Sequence, residues 1–92
     1  MKLPVNEFGF VGCRAPNGGL IRGPVATGTP NSVSIPIDCP TGTVFELLFH
    51  SHPGGVSFPS RQDMESAVRV GAKTLCIVSE RDGLKCFRIE SG

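Results

Sequence analysis

Apolar and polar residues alternate in short runs through the first half of the chain, and glycines and prolines separate these runs. Such runs predict strands joined by turns. Two of them contain a proline, which has no N–H to donate to a neighbouring strand. The run with Pro24 is expected to be bulged or at a sheet edge, and the run with Pro36 is expected at an edge. The run before the histidines is almost wholly apolar and predicts a central strand. The predicted strands are Asn6–Arg14, Leu20–Thr27, Ser32–Ile37 and Val44–His52, with turns at Pro16–Gly19, Gly28–Asn31 and Pro40–Gly42.

The second half of the chain has a helical period. Met64, Ala67, Val68 and Gly71 follow the spacing i, i+3, i+4 and i+7, which places them on one helical face. We predict a helix over Ser60–Val70 with Ser60 as N-cap and Gly71 as C-cap. Two β-rich runs follow on either side of an Asp82-Gly83 turn signal. These last strands are Thr74–Ser79 and Leu84–Glu90, and the fold class is α+β (mixed α/β): a small, curved, largely antiparallel sheet with one well-defined helix.

The composition fits one small domain spanning residues 1–92. Hydrophobic residues make up 39% and charged residues 18% of the chain, as in ordinary globular proteins. No apolar run approaches the ~18–20 residues of a membrane span, and the first ten residues lack the apolar segment of a secretory signal. We therefore expect a cytoplasmic protein without membrane contact. The net charge of +1 and scattered basic residues give no reason to expect a nucleic-acid partner.

The four cysteines form no CxxC pair, so the spacing of a structural zinc site is missing. We expect Cys13, Cys39, Cys76 and Cys86 to be small buried hydrophobic residues. One alternative stays open for Cys76 and Cys86, which lie on the two strands of the predicted hairpin. They face each other if the turn has an odd number of residues, and a disulfide is then feasible.

The chain's two histidines lie on one predicted strand in Phe49-His50-Ser51-His52-Pro53. Side chains at i and i+2 of a strand point to the same face, about 6.6 Å apart along the chain, so both imidazoles can reach one ion. Proline ends the strand, and a short loop leads to a helix whose first turn holds Asp63. Two imidazoles and one carboxylate leave a fourth position for water, which is the ligand pattern of a catalytic zinc site.

Each part of this pattern has a simpler explanation when taken alone. Two histidines at this spacing are more often unrelated, and Ser60 with Asp63 resembles a capping box, in which an acidic residue also favours the helix N-terminus. The combination changes the balance: the two histidines share a strand face, and Pro and Gly residues break the chain before the acidic residue returns.

The spacing HSHP, six residues, then Ser60-x-x-Asp63 resembles the signature of the JAMM (MPN) metallopeptidases. The family also uses a glutamate upstream on another strand, followed by apolar and glycine residues, and Glu7 in NEFGFVG matches it. The resemblance implies a fold of the MPN and cytidine-deaminase type, Zn²⁺ held by His50, His52 and Asp63, Glu7 as general base, and a hydrogen bond from Ser60 to the oxyanion.

The same resemblance implies hydrolysis of an amide bond after the Gly-Gly tail of a ubiquitin-like or sulfur-carrier protein. The short Glu80–Gly83 turn has no room for the insertion by which larger members grip ubiquitin, which favours a small substrate. Members usually have a helix before the glutamate strand, whereas six residues precede Glu7 here. Either the chain is a minimal version, or a partner, such as the second copy in a homodimer, covers that face.

Three other functions compete with a peptidase. A non-catalytic MPN scaffold usually lacks metal ligands, and a RadC-like protein of DNA repair has a similar signature but usually adds a helical domain. Two histidines and a carboxylate also form the facial triad of iron oxygenases, which need a wide barrel.

Glu46 is a second candidate for the general base. It precedes His50 by four residues on the same strand, about 13 Å away, and a base must come within about 3 Å of the proton it takes or act through one water. We therefore expect an exposed carboxylate at the strand end, and prefer Glu7.

Overall fold

The computed structural model describes residues 2–90, which form one sheet and one helix. The helix is neither long enough nor apolar enough to cross a membrane. The elements are β1 (Phe8–Arg14), β2 (Leu20–Arg22), β3 (Ala26–Thr27), β4 (Val44–Ser51), α1 (Arg61–Val70), β5 (Thr74–Ser79) and β6 (Gly83–Arg88).

The strand β4, which contains His50 and ends just before His52, is central, as predicted. The sheet has the order β2-β1-β4-β5-β6, and β3 pairs with β1 beyond the end of β2. β4 is antiparallel to β1 and parallel to β5. The helix α1 connects the two parallel strands, which need a crossover of this kind. All other pairs are antiparallel, so the predicted α+β class with a largely antiparallel sheet is confirmed.

Both predicted helix caps are present. The Ser60 hydroxyl accepts the backbone N–H of Asp63, and Gly71 lies in the left-handed region with φ of 80°. From there the Gly71 N–H donates to the carbonyls of Ala67 and Val68, and glycine is the residue that adopts this conformation most readily. Ala67 is the buried residue of α1 and packs the helix against the sheet. The core cluster comprises Val11, Cys13, Leu48, Ala67, Ala72, Leu75 and Ile77.

The predicted strand Ser32–Ile37 is wrong. Residues 33–39 belong to no strand, and no backbone hydrogen bond links them to the rest of residues 2–90. The segment instead crosses the sheet face that α1 covers, so closely that a Cβ on Gly9 would lie 2.4 Å from Cδ1 of Ile35. Half-buried and exposed side chains alternate along it because one side of the segment packs onto the sheet face. Pro36 has no N–H to donate to a neighbouring strand.

The expectation of unbonded cysteines is also wrong, because the four residues form two disulfides. Cys76 pairs with Cys86 across the hairpin, whose turn between Ser79 and Gly83 has an odd number of residues. The second disulfide joins Cys13 of β1 to Cys39, 26 positions later, with Cα atoms 5.8 Å apart. Its signal was hidden because Cys39 follows the segment wrongly assigned to the sheet. We call residues 33–39 the crossing segment, and this disulfide ties it to β1.

Candidate metal centre

The two imidazoles converge at the end of β4, as their spacing predicts. His50 lies opposite Gly9 of β1 and beside Ile77 of β5, and it is 4% exposed. His52 follows the last residue of β4 and is held to β5 by its backbone N–H, which donates to the Val78 carbonyl. The two Nε2 atoms are 3.0 Å apart. The strand thus aims two ligand atoms at one point.

The loop 53–59 leads to α1, whose first turn places Asp63 beside the two imidazoles. Its Oδ2 atom lies 3.0 Å from Nε2 of His52 and 3.4 Å from Nε2 of His50. The same oxygen accepts the backbone N–H of Ser60 at 2.9 Å, while the backbone N–H of Asp63 donates to the Ser60 hydroxyl. The capping box and the ligand set are therefore one structure: the cap holds the carboxylate that faces the histidines.

The spacing of these three atoms fits a zinc ion. Zn–N and Zn–O bonds of about 2.0–2.2 Å place the corners of a tetrahedron about 3.3–3.6 Å apart. The observed separations of 3.0, 3.0 and 3.4 Å are close to this value. Three lone-pair atoms so close together repel one another unless a proton or a cation lies among them. Two imidazoles and a carboxylate are a donor set that zinc binds well.

A backbone contact fixes which nitrogen of His52 is available. Nδ1 lies 2.9 Å from the Val56 carbonyl oxygen, which can only accept, so Nδ1 carries the proton and donates it. The lone pair of the neutral ring is then on Nε2, which faces His50 and Asp63. Orientation of a ligating imidazole through its other nitrogen is typical of metal sites. The Val56 carbonyl thus orients one of the candidate ligands.

Glu7 lies beside the same point, immediately before β1. Its carboxylate comes within 4.8 Å of ligand nitrogens of both His50 and His52, so this trio is a second candidate ligand set. The backbone of Glu7 is fixed by hydrogen bonds to Gly28 and Thr29, and its side chain is buried. Asp63 is the better candidate for the third ligand because its separations from the two imidazoles are close to those of tetrahedral corners, and Glu7 then lies beside the ligand set.

The two carboxyl groups differ in acidity. Burial raises the pKa of Glu7 above its ordinary value, although His50 and His52 oppose the shift. Burial also acts to raise the pKa of Asp63, but hydrogen bonds from His50 and from the Ser60 backbone outweigh it and hold the pKa well below its usual range. At neutral pH Asp63 is therefore an anion suited to a cation, and Glu7 is the better proton acceptor.

A cleft of about 480 Å³ opens beside these groups. One wall is formed by α1 and its N-cap Ser60, and the other by residues 30–35 and 37, with Leu48 of β4 between them. Glu7, His50, His52 and Asp63 all line it. The ligand point is thus open to an extended molecule lying between helix and segment. The sequence did not indicate this wall, since residues 32–37 were assigned to the sheet edge.

Glu46 lies in a bulge of β4 and its carboxylate is engaged by another side chain. The register between β1 and β4 shifts so that Gly12 pairs with Leu47 and Cys13 with Phe45, which leaves Glu46 unpaired in a bulge. Its carboxylate forms an ion pair with Arg14, and its side chain is 26% exposed rather than fully exposed. The prediction of an exposed strand-end carboxylate is therefore wrong, because the bulge directs the side chain towards Arg14.

No protein-family model, curated protein or solved structure matches this chain.

Proposed function

We propose that the protein is a zinc-dependent peptidase of the JAMM type that hydrolyses amide bonds after the Gly-Gly tail of a ubiquitin-like or sulfur-carrier protein. The observation that supports this most is the convergence of His50, His52 and Asp63 at tetrahedral spacing beside a buried Glu7 and an open cleft. A catalytic zinc site differs from a structural one in leaving a position for water, and three protein ligands leave that position here.

Each residue then has a separate task. Zinc, when bound, lowers the pKa of water toward ~7 and polarises a carbonyl group. Glu7 accepts the proton of the attacking water and delivers it to the leaving amine. Its raised pKa brings it closer to the operating pH, where a group that must both take and return a proton works best.

Ser60 can cap the helix and assist the reaction at the same time. Its Oγ accepts the Asp63 N–H at 3.1 Å, and this bond does not use the hydroxyl proton. Ser60 lines the cleft, and its hydroxyl proton can donate to an oxyanion, which is an electrostatic contribution to catalysis. The two roles, which the sequence could not separate, are therefore compatible.

The crossing segment supports an extended peptide as the substrate. Its backbone N–H and C=O groups at residues 33–39 have no backbone partners among residues 2–90. A peptide chain laid along the cleft can pair with them, which is binding by strand addition. The three-residue turn between β5 and β6 adds no large insertion around the site, which favours a small ubiquitin-like protein as the substrate.

The sheet face opposite α1 carries aromatic side chains. Phe10 and Phe49 stack on the sheet face opposite α1, with ring centroids 4.5 Å apart, and no helix among residues 2–90 covers them. This apolar face supports the homodimer. A cytoplasmic location remains our proposal, although two disulfides in a cytoplasmic protein are expected mainly in hyperthermophiles.

The proposed activity is tested with a linear fusion of a ubiquitin-like protein, ending in Gly-Gly, to a reporter. We expect cleavage after the second glycine by the zinc-loaded protein, loss of cleavage with a chelator, and recovery on adding zinc. A matched fusion with Ala-Ala at the junction is the control. It should resist cleavage, because the methyl groups of the two alanines would not fit a groove that only glycines can pass. A zinc-loaded protein that cuts neither fusion would favour the non-catalytic MPN scaffold.

A further inference from the structure

A cluster of buried polar groups lies beneath the loop that joins the histidines to α1. The Ser57 hydroxyl lies 2.7 Å from the Ser79 hydroxyl and donates to the Gly83 carbonyl at 2.5 Å. The Ser57 backbone N–H donates to Oδ2 of Asp82 at 3.0 Å, and the Asp82 N–H donates to the Ser79 hydroxyl. We call Ser57, Ser79 and Asp82 the Ser57 clamp. It connects the loop to the β5–β6 turn.

The clamp is the main inward attachment of this loop. Ser57 is the one buried residue in 53–59, whereas its neighbours Val56 and Phe58 are 41% and 53% exposed. The loop therefore has no apolar side chain in the core to define its position. Ser57 and Ser79 are fully buried, and buried hydroxyl groups are costly unless they are hydrogen-bonded, so the loop is favoured in the conformation that satisfies them.

This conformation of the loop positions two groups of the metal centre, the imidazole of His52 and the carboxylate of Asp63. Val56, adjacent to Ser57, supplies the carbonyl that accepts the proton of His52 Nδ1. Three residues after Ser57, the loop reaches Ser60, whose hydroxyl and backbone N–H hold Asp63. A shift of the loop at Ser57 would therefore rotate one imidazole and displace the carboxylate opposite it. None of the clamp residues belongs to the ligand set.

We infer that the Ser57 clamp is a positioning element for the metal centre, through which the β5–β6 turn fixes the separation of His52 and Asp63. The inference rests on the metal-binding part of the proposed function and does not require peptidase activity. Contacts that orient metal ligands typically change metal affinity by 10–100-fold when removed. Asp82 is the most useful residue to change, because it is only half-buried and lies outside the core.

The test compares Asp82→Ala, Asp82→Asn and Arg81→Ala. Asparagine keeps an oxygen that can accept the Ser57 N–H, whereas alanine does not. Arg81 is an exposed residue of the same turn and has no ion pair among residues 2–90. Zinc affinity is measured by competition with a chromophoric chelator, at a temperature where circular dichroism shows every variant to be folded. The visible spectrum of the Co²⁺-loaded protein reports the ligand geometry independently of affinity.

We expect Asp82→Ala to weaken zinc binding about tenfold and to alter the Co²⁺ spectrum, while Asp82→Asn and Arg81→Ala stay within about threefold of the wild type. Ser79→Ala should resemble Asp82→Ala and provides a second variant if the latter folds poorly. Unchanged affinity and spectrum in Asp82→Ala and Ser79→Ala, with normal zinc binding by the wild type, would overturn the inference. Failure of the wild type to bind zinc would instead refute the proposed function itself.

Discussion

Replacing Glu7 by glutamine should lower the rate of Gly-Gly cleavage by about 10²–10⁴ while the protein keeps its fold and its zinc. Glutamine has nearly the size of glutamate but cannot accept the proton of the attacking water. The Glu7 backbone, rather than its side chain, makes the hydrogen bonds to Gly28 and Thr29 that hold it in place. The change therefore removes the proposed proton transfer with little effect on structure. Single-turnover kinetics with the fusion substrate, alongside zinc content, provide the measurement.

Glu46→Gln is the matched control for this variant. Glu46 is also a strand-associated glutamate, but it lies in the bulge and pairs with Arg14. Its replacement should leave the rate within a few-fold of the wild type. Loss of turnover in Glu46→Gln with full turnover in Glu7→Gln would show that the proton acceptor has been assigned to the wrong residue.

Removal of the metal should lower the melting temperature by roughly 10–20 °C. A ligand that binds only the native state at one hundred times its dissociation constant stabilises it by about 2.7 kcal/mol. For a domain of this size each kcal/mol corresponds to about 4–8 °C. His50→Ala should melt at a similarly low temperature with or without zinc, because one imidazole of the set is missing. Calorimetry on zinc-loaded and chelator-treated protein tests both expectations.

Gln62→Ala serves as the control, since Gln62 precedes Asp63 on α1 and lines the cleft without belonging to the ligand set. It should retain the zinc-dependent increase in melting temperature. Identical melting curves for the wild type with and without zinc would show that no metal contributes to the fold.

The elements with a local signal were predicted well. The helix was found because its caps and its period agree, and Ser60 and Gly71 both occupy the predicted positions. The strand Thr74–Ser79 was found because β-branched and apolar residues fill a short run before a turn. Such elements depend on neighbouring residues in the chain, which a sequence displays directly.

The errors concern contacts between distant parts of the chain. Period-two alternation is the same in a strand that pairs at a sheet edge and in an extended segment that packs on a sheet face. Ser32–Ile37 is of the second kind. The Cys13–Cys39 disulfide depends on where that segment passes. The bulge at Glu46 depends on the register of two strands separated by some thirty residues.

The metal centre was partly predictable for the same reason. His50 and His52 share a face by strand periodicity, and Asp63 follows from the helix start. Glu7 was assigned from the family resemblance alone, because its approach to the histidines depends on the pairing of Gly9 with His50. The Val56 carbonyl left no signal, since a backbone acceptor can be any residue. The Ser57 clamp was missed because serines in loops are common.

The proposed zinc site is tested most directly by the zinc content of the purified, metal-reconstituted wild type, Asp63→Ala and Glu7→Gln, measured by elemental analysis after dialysis. We predict one zinc per chain in the wild type and in Glu7→Gln, and well below one in Asp63→Ala, because Asp63 is a ligand and Glu7 is not. Zinc far below one equivalent in the wild type would contradict the proposed zinc site, and zinc lost from Glu7→Gln but retained by Asp63→Ala would contradict the assignment of Asp63 as the third ligand.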